Sequence, residues 1–197
     1  MSPFFQELEA ADKGISLAIN AFGGGALDSF MALVSGRLTW APLYVLLLAL
    51  LVYRLGWKKA LLTLVIAVIA LAACDQLANL VKNWAQRLRP CRDAYMLENG
   101  LSVLENKGGR YGFYSAHAAT LTGISVVIMR ALSGDSVRKW LGWLLAFWVL
   151  LVGISRVFVG KHFLGDVIVG IIAGFLTSLI VCKCAELLVR HCRKSDK

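Results

Sequence analysis

Three stretches of this chain, Ala41–Val52, Ala60–Cys74 and Trp143–Ile154, contain no charged side chain. They lie inside three of five apolar segments, roughly 40–56, 59–82, 117–132, 139–158 and 162–183. About 20 residues cross a bilayer, so each segment approaches spanning length, the shorter ones with help from their flanks. The 197 residues suffice for one ordinary domain. They are 58% hydrophobic and 17% charged, with mean hydropathy +0.69, where soluble domains sit near about half and about a quarter. Disorder, a coiled coil and a soluble enzyme are poor descriptions of such a chain. The expected fold is all-α: a polytopic membrane helix bundle with about five transmembrane helices plus two N-terminal interfacial amphipathic helices.

The net charge of +9 would point to nucleic acid on a soluble chain; here topology accounts for it. If the segments alternate in direction, one face collects Arg54, Lys58, Lys59, Arg130, Arg138, Lys139, Lys183, Arg190, Arg193, Lys194 and Lys197. These eleven cations meet only Asp135, Glu186 and Asp196, a net +8, while ten cations and nine acids on the other face leave +1. Basic residues flanking spans stay cytoplasmic. The first face is therefore inside, with the C-terminus inside, the N-terminus outside and no nucleic-acid partner expected.

Residues 1–20 lack the basic start and uninterrupted apolar run of a cleavable signal peptide. Phe4, Leu8, Ile15 and Ile19 are interspersed with Glu7, Glu9, Asp12 and Lys13. After Gly23-Gly24-Gly25, Leu27, Phe30, Met31 and Val34 fall at i, i+3, i+4 and i+7, a helical stripe. Residues 3–37 thus read as two short amphipathic helices on the outer interface, covering the bundle. Among the cysteines, Cys91 alone lies clearly outside, Cys74 is within a span, and Cys182, Cys184 and Cys192 sit at the inner end, so no disulfide framework is expected. Cys182 and Cys184 lack the further ligands that zinc requires. The expected organisation is one membrane-embedded domain over 1–197: interfacial helices in 1–38, a transmembrane core in 39–183 and a basic cytoplasmic tail in 184–197.

The long non-membrane stretch Asn83–Ala116 carries Arg87, Arg89, Arg92, Lys107 and Arg110 against Asp93, Glu98 and Glu105. Loops of this length inside compact domains are more often functional than connecting. Around it, at the outer ends of the spans, fall His117, His162, Lys82, Arg89 and Arg156; His191 lies apart in the basic tail. Any one of these reads as helix-end snorkelling, but polar groups at membrane depth are costly unless they face a cavity or each other. Three cations without equal acids suit a dianionic ligand such as phosphate, arginine by its fork and lysine as a point charge. Ser115-Ala116-His117 opens the third span, where unpaired backbone N–H groups bind phosphate, although Ser115 also suits an ordinary N-cap. His162 and Asp166 are one helical turn apart, so the carboxylate can hold one ring nitrogen's proton and leave the other nitrogen unprotonated.

The segments Lys82–Pro90 (KNWAQRLRP), Tyr114–His117 (YSAH) and Ser155–Asp166 (SRVFVGKHFLGD) resemble the type 2 phosphatidic acid phosphatase family. Its signature is K-x6-R-P, P-S-G-H and S-R-x5-H-x3-D, in that order. The first and third match at every specified position. In the second, Tyr114 replaces proline and Ala116 replaces glycine, and alanine's methyl group narrows the backbone approach that glycine permits.

The resemblance implies a metal-independent phosphohydrolase without a cofactor. Lys82, Arg89 and Arg156 would bind the phosphoryl oxygens, with hydrogen bonds from Ser115 and the amide of Ala116. His162 would attack phosphorus to give a phosphohistidine, oriented by Asp166, and His117 would protonate the leaving oxygen and then activate water. The family also includes soluble vanadium-dependent haloperoxidases, which the apolar spans disfavour. A cradle at the outer leaflet suits a membrane lipid phosphate whose tail stays in the bilayer. The first candidate is undecaprenyl diphosphate in a bacterial inner membrane, with the site facing the periplasm or outer side. Lipid A, phosphatidylglycerophosphate and phosphatidate are alternatives, as is a non-catalytic protein that binds or transports a phosphorylated lipid.

Overall fold

The computed structural model describes residues 3–106 and 108–195, the side chains of 193–195 excepted. Lys107, the side chains of Arg193 and Lys194, and the charges of Asp196 and Lys197, all counted in the charge split, lie outside the described residues. Eight α-helices follow one another: α1 (Pro3–Ala21), α2 (Ala26–Ser35), α3 (Ala41–Leu55), α4 (Trp57–Ala85), α5 (Ala94–Glu98), α6 (Ala116–Ala131), α7 (Arg138–Phe158) and α8 (Leu164–Ser195). Among the described residues there is no strand, only an isolated antiparallel bridge between Leu88 and Tyr111.

Among the described residues, four helical segments are long and apolar enough to cross a membrane: Leu38–Leu55, Trp57–Ala85, Arg138–Phe158 and Leu164–Cys192. The remaining apolar segment, α6, has 16 residues, about 24 Å at 1.5 Å per residue. It falls short of a bilayer core of about 30 Å, and it is also the best enclosed helix, packed against α4, α7 and α8. Small residues make that enclosure possible. A Cβ on Gly170 would lie 2.6 Å from the Ser115 carbonyl oxygen, one on Gly123 would lie 2.6 Å from Ser178 Oγ, and one on Gly174 would fall on the Ala119 backbone. Ser115, Ala119 and Gly123 thus meet Gly170, Gly174 and Ser178 in the same order, so α6 and α8 run parallel and begin side by side. Between helices in lipid, close packing of small residues replaces the hydrophobic drive available in water. α4 packs against both helices and runs the opposite way, with Cys74 near Gly123 and Ser178, and Ala70 packed with Val127.

Two elements add detail to the sequence expectation. α8 does not stop near residue 183 but continues to Ser195, because nothing between Phe175 and Ser195 is a glycine or proline that would end it. At 32 residues it is about 48 Å long, so the basic tail is a helical extension of the last span. α1 is amphipathic, but it presents its polar stripe to the protein. Ser16 and Asn20 are buried, while Phe4, Phe5, Leu8 and Ile15 are at least half exposed, an outward apolar face that suits the membrane interface. Asn20 Nδ2 donates to the carbonyls of Ser102 and Phe158 at 2.9 and 2.6 Å, and Asn20 Oδ1 accepts from Ser102 N at 2.8 Å. α1 is thereby pinned to the long loop and to the end of α7.

The α6–α8 seam makes a direct prediction. Gly174→Val drives a branched side chain into the Ala119 backbone and should cost about 1–3 kcal/mol, the usual range for overpacking. Gly14→Ala, where a Cβ meets nothing within 4 Å, should be neutral or stabilising. Unfolding midpoints in detergent distinguish the two, and equal midpoints would mean that the seam is looser than described.

Candidate active site

The parallel start of α6 and α8 brings two helix N-termini to one place. Ser115 N donates to the Asp166 carbonyl at 3.0 Å, and Ser115 Oγ caps α6 by accepting from Ala118 N at 3.4 Å. The turn that delivers His162 is held by the end of α7, since Lys161 N and His162 N both donate to the Arg156 carbonyl, at 3.0 and 3.1 Å. Gly160 makes this turn with φ +77°, and a Cβ there would meet the Ser102 carbonyl at 2.9 Å. Arg89 is fixed from the loop side: its Nε donates to the Tyr111 carbonyl at 3.1 Å, and its N donates to the Arg110 carbonyl at 3.2 Å.

These constraints enclose a polar cavity of about 490 Å³. Of the eight site residues expected from sequence, Lys82, Arg89, Ala116, His117, Arg156 and His162 line it. Ser115 and Asp166, both fully buried, stand directly behind. His162 Nδ1 lies 3.4 Å from Asp166 Oδ2, so the carboxylate faces one ring nitrogen and leaves Nε2 for the cavity. Burial holds the His162 imidazole down at about 4, against the opposing pull of Asp166, so the ring is neutral near pH 7. Burial likewise draws the Arg89 guanidinium below its ordinary value. Arg156 Nε is buried with no hydrogen-bond partner among the described residues. Buried donors are normally paired, so this one is a ready contact for an anion.

Several cavity residues escaped the sequence reading. Asp75 and Asn79 line it together with Lys82, one face of α4 at i, i+4 and i+7; a polar stripe in an otherwise apolar span was the available signal. Arg37, between α2 and α3, donates from Nε to His117 Nε2 at 3.3 Å. Glu105 lies 3.5 Å from both Arg156 and Lys161, and Ser35 hydrogen-bonds Arg156 through its hydroxyl and its carbonyl. Burial would raise the Glu105 carboxyl, but Ser35, Arg156 and Lys161 outweigh it and hold it below the ordinary range. No sequence spacing links Arg37, Ser35 or Glu105 to the motif histidines.

The polar cavity continues into apolar space. A chamber of about 300 Å³ shares Arg37, Asp75, Ala116 and His117 with it and is walled by Trp40, Tyr44, Leu71, Ile124 and Val152. A further groove of about 300 Å³ shares Tyr44, Leu71 and Ile124 and runs on past Leu47, Leu51 and Val68. A charged centre therefore opens sideways between α3, α4 and α6 toward the hydrocarbon. Among the described residues, no group of three or more His, Cys, Asp or Glu is arranged to hold a metal ion.

A family model described as PAP2 superfamily matches residues 60–190. The chain is 28% identical over 173 residues to a lipid A 4'-phosphatase of Porphyromonas gingivalis, covering 87% of this chain and 72% of that protein. It is 27% identical over 169 residues to a lipid A 4'-phosphatase of Bacteroides thetaiotaomicron, covering 85% and 73%. The fold is similar to that of a transmembrane PAP2-type phosphatidylglycerolphosphate phosphatase from Bacillus subtilis, with TM-score 0.70 and 24% identity over 91% of this chain and 87% of that one. It is also similar to Aquifex aeolicus LpxE, with TM-score 0.64 and 21% identity over 86% and 93%.

The cation set predicts anion affinity. Hydrogen bonds to charged groups are worth about 1.5–3 kcal/mol, so Arg156→Gln should weaken inorganic phosphate binding by about ten- to a hundredfold. Titration calorimetry on the purified protein measures it; unchanged affinity would remove Arg156 from the anion site.

Proposed function

Since the chain belongs to the PAP2 superfamily and is a membrane phosphatase of that family, we propose that it removes a phosphate monoester from a lipid-anchored sugar of the bacterial envelope, with lipid A as the best-supported substrate. The observation that carries this reading is the composition of the cavity. Lys82, Arg89 and Arg156 supply charge for one phosphate, while Asp75, Asn79 and Glu105 line the same space. Carboxylates and an amide accept hydrogen bonds from sugar hydroxyls. The apolar chamber and groove take acyl chains without drawing them from the bilayer, and the lipid A 4'-phosphatases among the relatives agree with this substrate class. A second reading, undecaprenyl diphosphate, has the two extra cations Arg37 and Lys161 in its favour, since they could accept a second phosphate.

In the proposed mechanism the three cations and the N-terminus of α6 hold the phosphoryl oxygens and stabilise the charge of the transition state. Neutral His162 attacks phosphorus through Nε2, while Asp166 holds Nδ1–H and stabilises the positive charge that develops on the ring. The bond to the leaving oxygen breaks as His117, in its protonated form and freed from the Arg37 hydrogen bond, gives it a proton, and His117 then takes a proton from the water that cleaves the phosphohistidine. His117 and His162 both line the cavity, which allows the two to act on opposite sides of one phosphorus. Ser115, whose hydroxyl caps α6, contributes by fixing the amides of the helix start. No metal or cofactor enters these steps.

Two experiments test the reading. Purified protein given lipid A, undecaprenyl diphosphate, phosphatidylglycerophosphate and phosphatidate should release phosphate fastest from lipid A, in excess chelator, and vanadate should inhibit because it mimics the transition state. Fastest release from undecaprenyl diphosphate would favour the second reading, and no release from any of the four would reject both. For the outward orientation, a cysteine-free background carrying Gly109→Cys should react with an impermeant thiol reagent from outside, and one carrying Ser133→Cys should not. The reverse pattern would turn the site to the cytoplasm.

A further inference from the structure

Asp166 has two oxygens, and the family motif accounts for one of them. Oδ2 faces His162 Nδ1 at 3.4 Å and accepts from Phe163 N at 3.1 Å. Oδ1 accepts from Arg87 Nη1 at 2.8 Å. Arg87 occupies an unspecified position of the K-x6-R-P motif, does not line the phosphate cavity, and lies over the Phe163 ring with its guanidinium carbon 4.1 Å from the centroid. Its other terminal nitrogen, Nη2, donates to Asp12 Oδ2 at 2.7 Å. Asp12 belongs to α1, outside the residues that match the family model.

The same face of α1 completes the start of α8. The first four N–H groups of a helix have no partner within it, and here three are assigned: Phe163 N to Asp166 Oδ2, Leu164 N to Ser16 Oγ at 2.9 Å, and Gly165 N to Asp12 Oδ1 at 2.8 Å. Asp12 therefore holds both Arg87 and the backbone that carries Asp166. Burial opposes the charge on Arg87, but Asp166 and Asp12 outweigh it and hold its guanidinium above the ordinary value, consistent with a permanently charged clamp.

We infer that Arg87 and Asp12 are positioning residues: a chain Asp12–Arg87–Asp166–His162, begun by the N-terminal helix, fixes the carboxylate so that Oδ2 stays on Nδ1 of the attacking histidine. Neither residue touches substrate. Their contribution is orientation of the nucleophile, so their loss should appear in kcat and leave KM little changed. A displacement of about 1 Å at a reacting group costs on the order of 10²-fold in rate. The inference rests on the phosphohydrolase reading above.

The test compares steady-state kcat and KM of full-length wild-type, Arg87→Lys, Arg87→Met, Asp12→Asn and Arg87→Met/Asp12→Asn proteins on the best lipid of the panel, alongside their unfolding midpoints. Arg87→Met should lower kcat by on the order of 10²-fold. Arg87→Lys, which keeps the charge and one hydrogen bond, should recover part of that loss. Asp12→Asn should lower kcat less. The double variant, which removes the carboxylate that Arg87→Met strands, should be no slower than Arg87→Met alone, because residues in one chain are not additive. If Arg87→Met is too unstable to purify, Arg87→Lys and Asp12→Asn carry the same comparison. Wild-type kcat in these variants, or losses that follow the unfolding midpoint with no advantage for lysine, would overturn the positioning role while leaving the phosphatase reading intact. Absence of phosphate release by the wild-type protein would instead overturn the reading on which it rests.

Discussion

The packing of α6 against α8 through small residues is the constraint on which the rest of the molecule depends. Gly170 and Gly174 let the two helices approach until their backbones touch at Ser115 and Ala119, and their parallel direction sets both N-termini at one end of the bundle. One N-terminus carries Ser115, Ala116 and His117; the turn before the other carries His162, with Asp166 in its first helical turn. The two histidines and the amides between them are therefore positioned by main-chain contacts rather than by flexible side chains. α4 and α7 then have only to deliver Lys82 and Arg156 to the same end.

Charge placement follows from that geometry. Lys82, Arg89 and Arg156 converge on one cavity, and fixed cations at membrane depth persist only where a cavity or a partner receives them. In this structure the partners are Glu105 for Arg156 and Lys161 and the Tyr111 carbonyl for Arg89. An anionic substrate entering the cavity would therefore compete with Glu105 for Arg156, while Arg156 Nε remains available to it. The apolar groove along Tyr44, Leu71 and Ile124 joins this charged centre to the hydrocarbon, which is the shape required by a ligand with a charged head and an apolar tail.

The parts legible in the sequence were those encoded locally. Uncharged runs marked the spans, and the four-residue spacing brought His162 and Asp166 together, although His162 sits in the turn before α8 and not on its helical face. The three motif segments named eight residues that the structure brings together, six lining the cavity and Ser115 and Asp166 buried behind it. Contacts between remote segments were not legible. Asp12 looked like one acid of an interfacial helix, and only the tertiary fold sets it against Arg87 and Gly165 N. Arg37, Ser35 and Glu105 lie in linkers or at helix ends and reach the cavity through no periodic pattern. The extension of α8 was available in principle, since no breaker follows Gly174, but the change from apolar to basic residues near Lys183 reads as the end of the helix when it is only the end of its apolar part.

His162 is the proposed nucleophile and Asp166 its orienter, and a covalent intermediate tests this most directly. The protein would be mixed with lipid carrying a labelled phosphate, quenched within a fraction of one turnover, and mapped by peptide under alkaline conditions, which phosphohistidine survives. Label on the peptide that contains His162, absent from His162→Ala, is the predicted result. Label on another residue, or turnover without any labelled protein, would contradict it and leave His162 as a base that activates water.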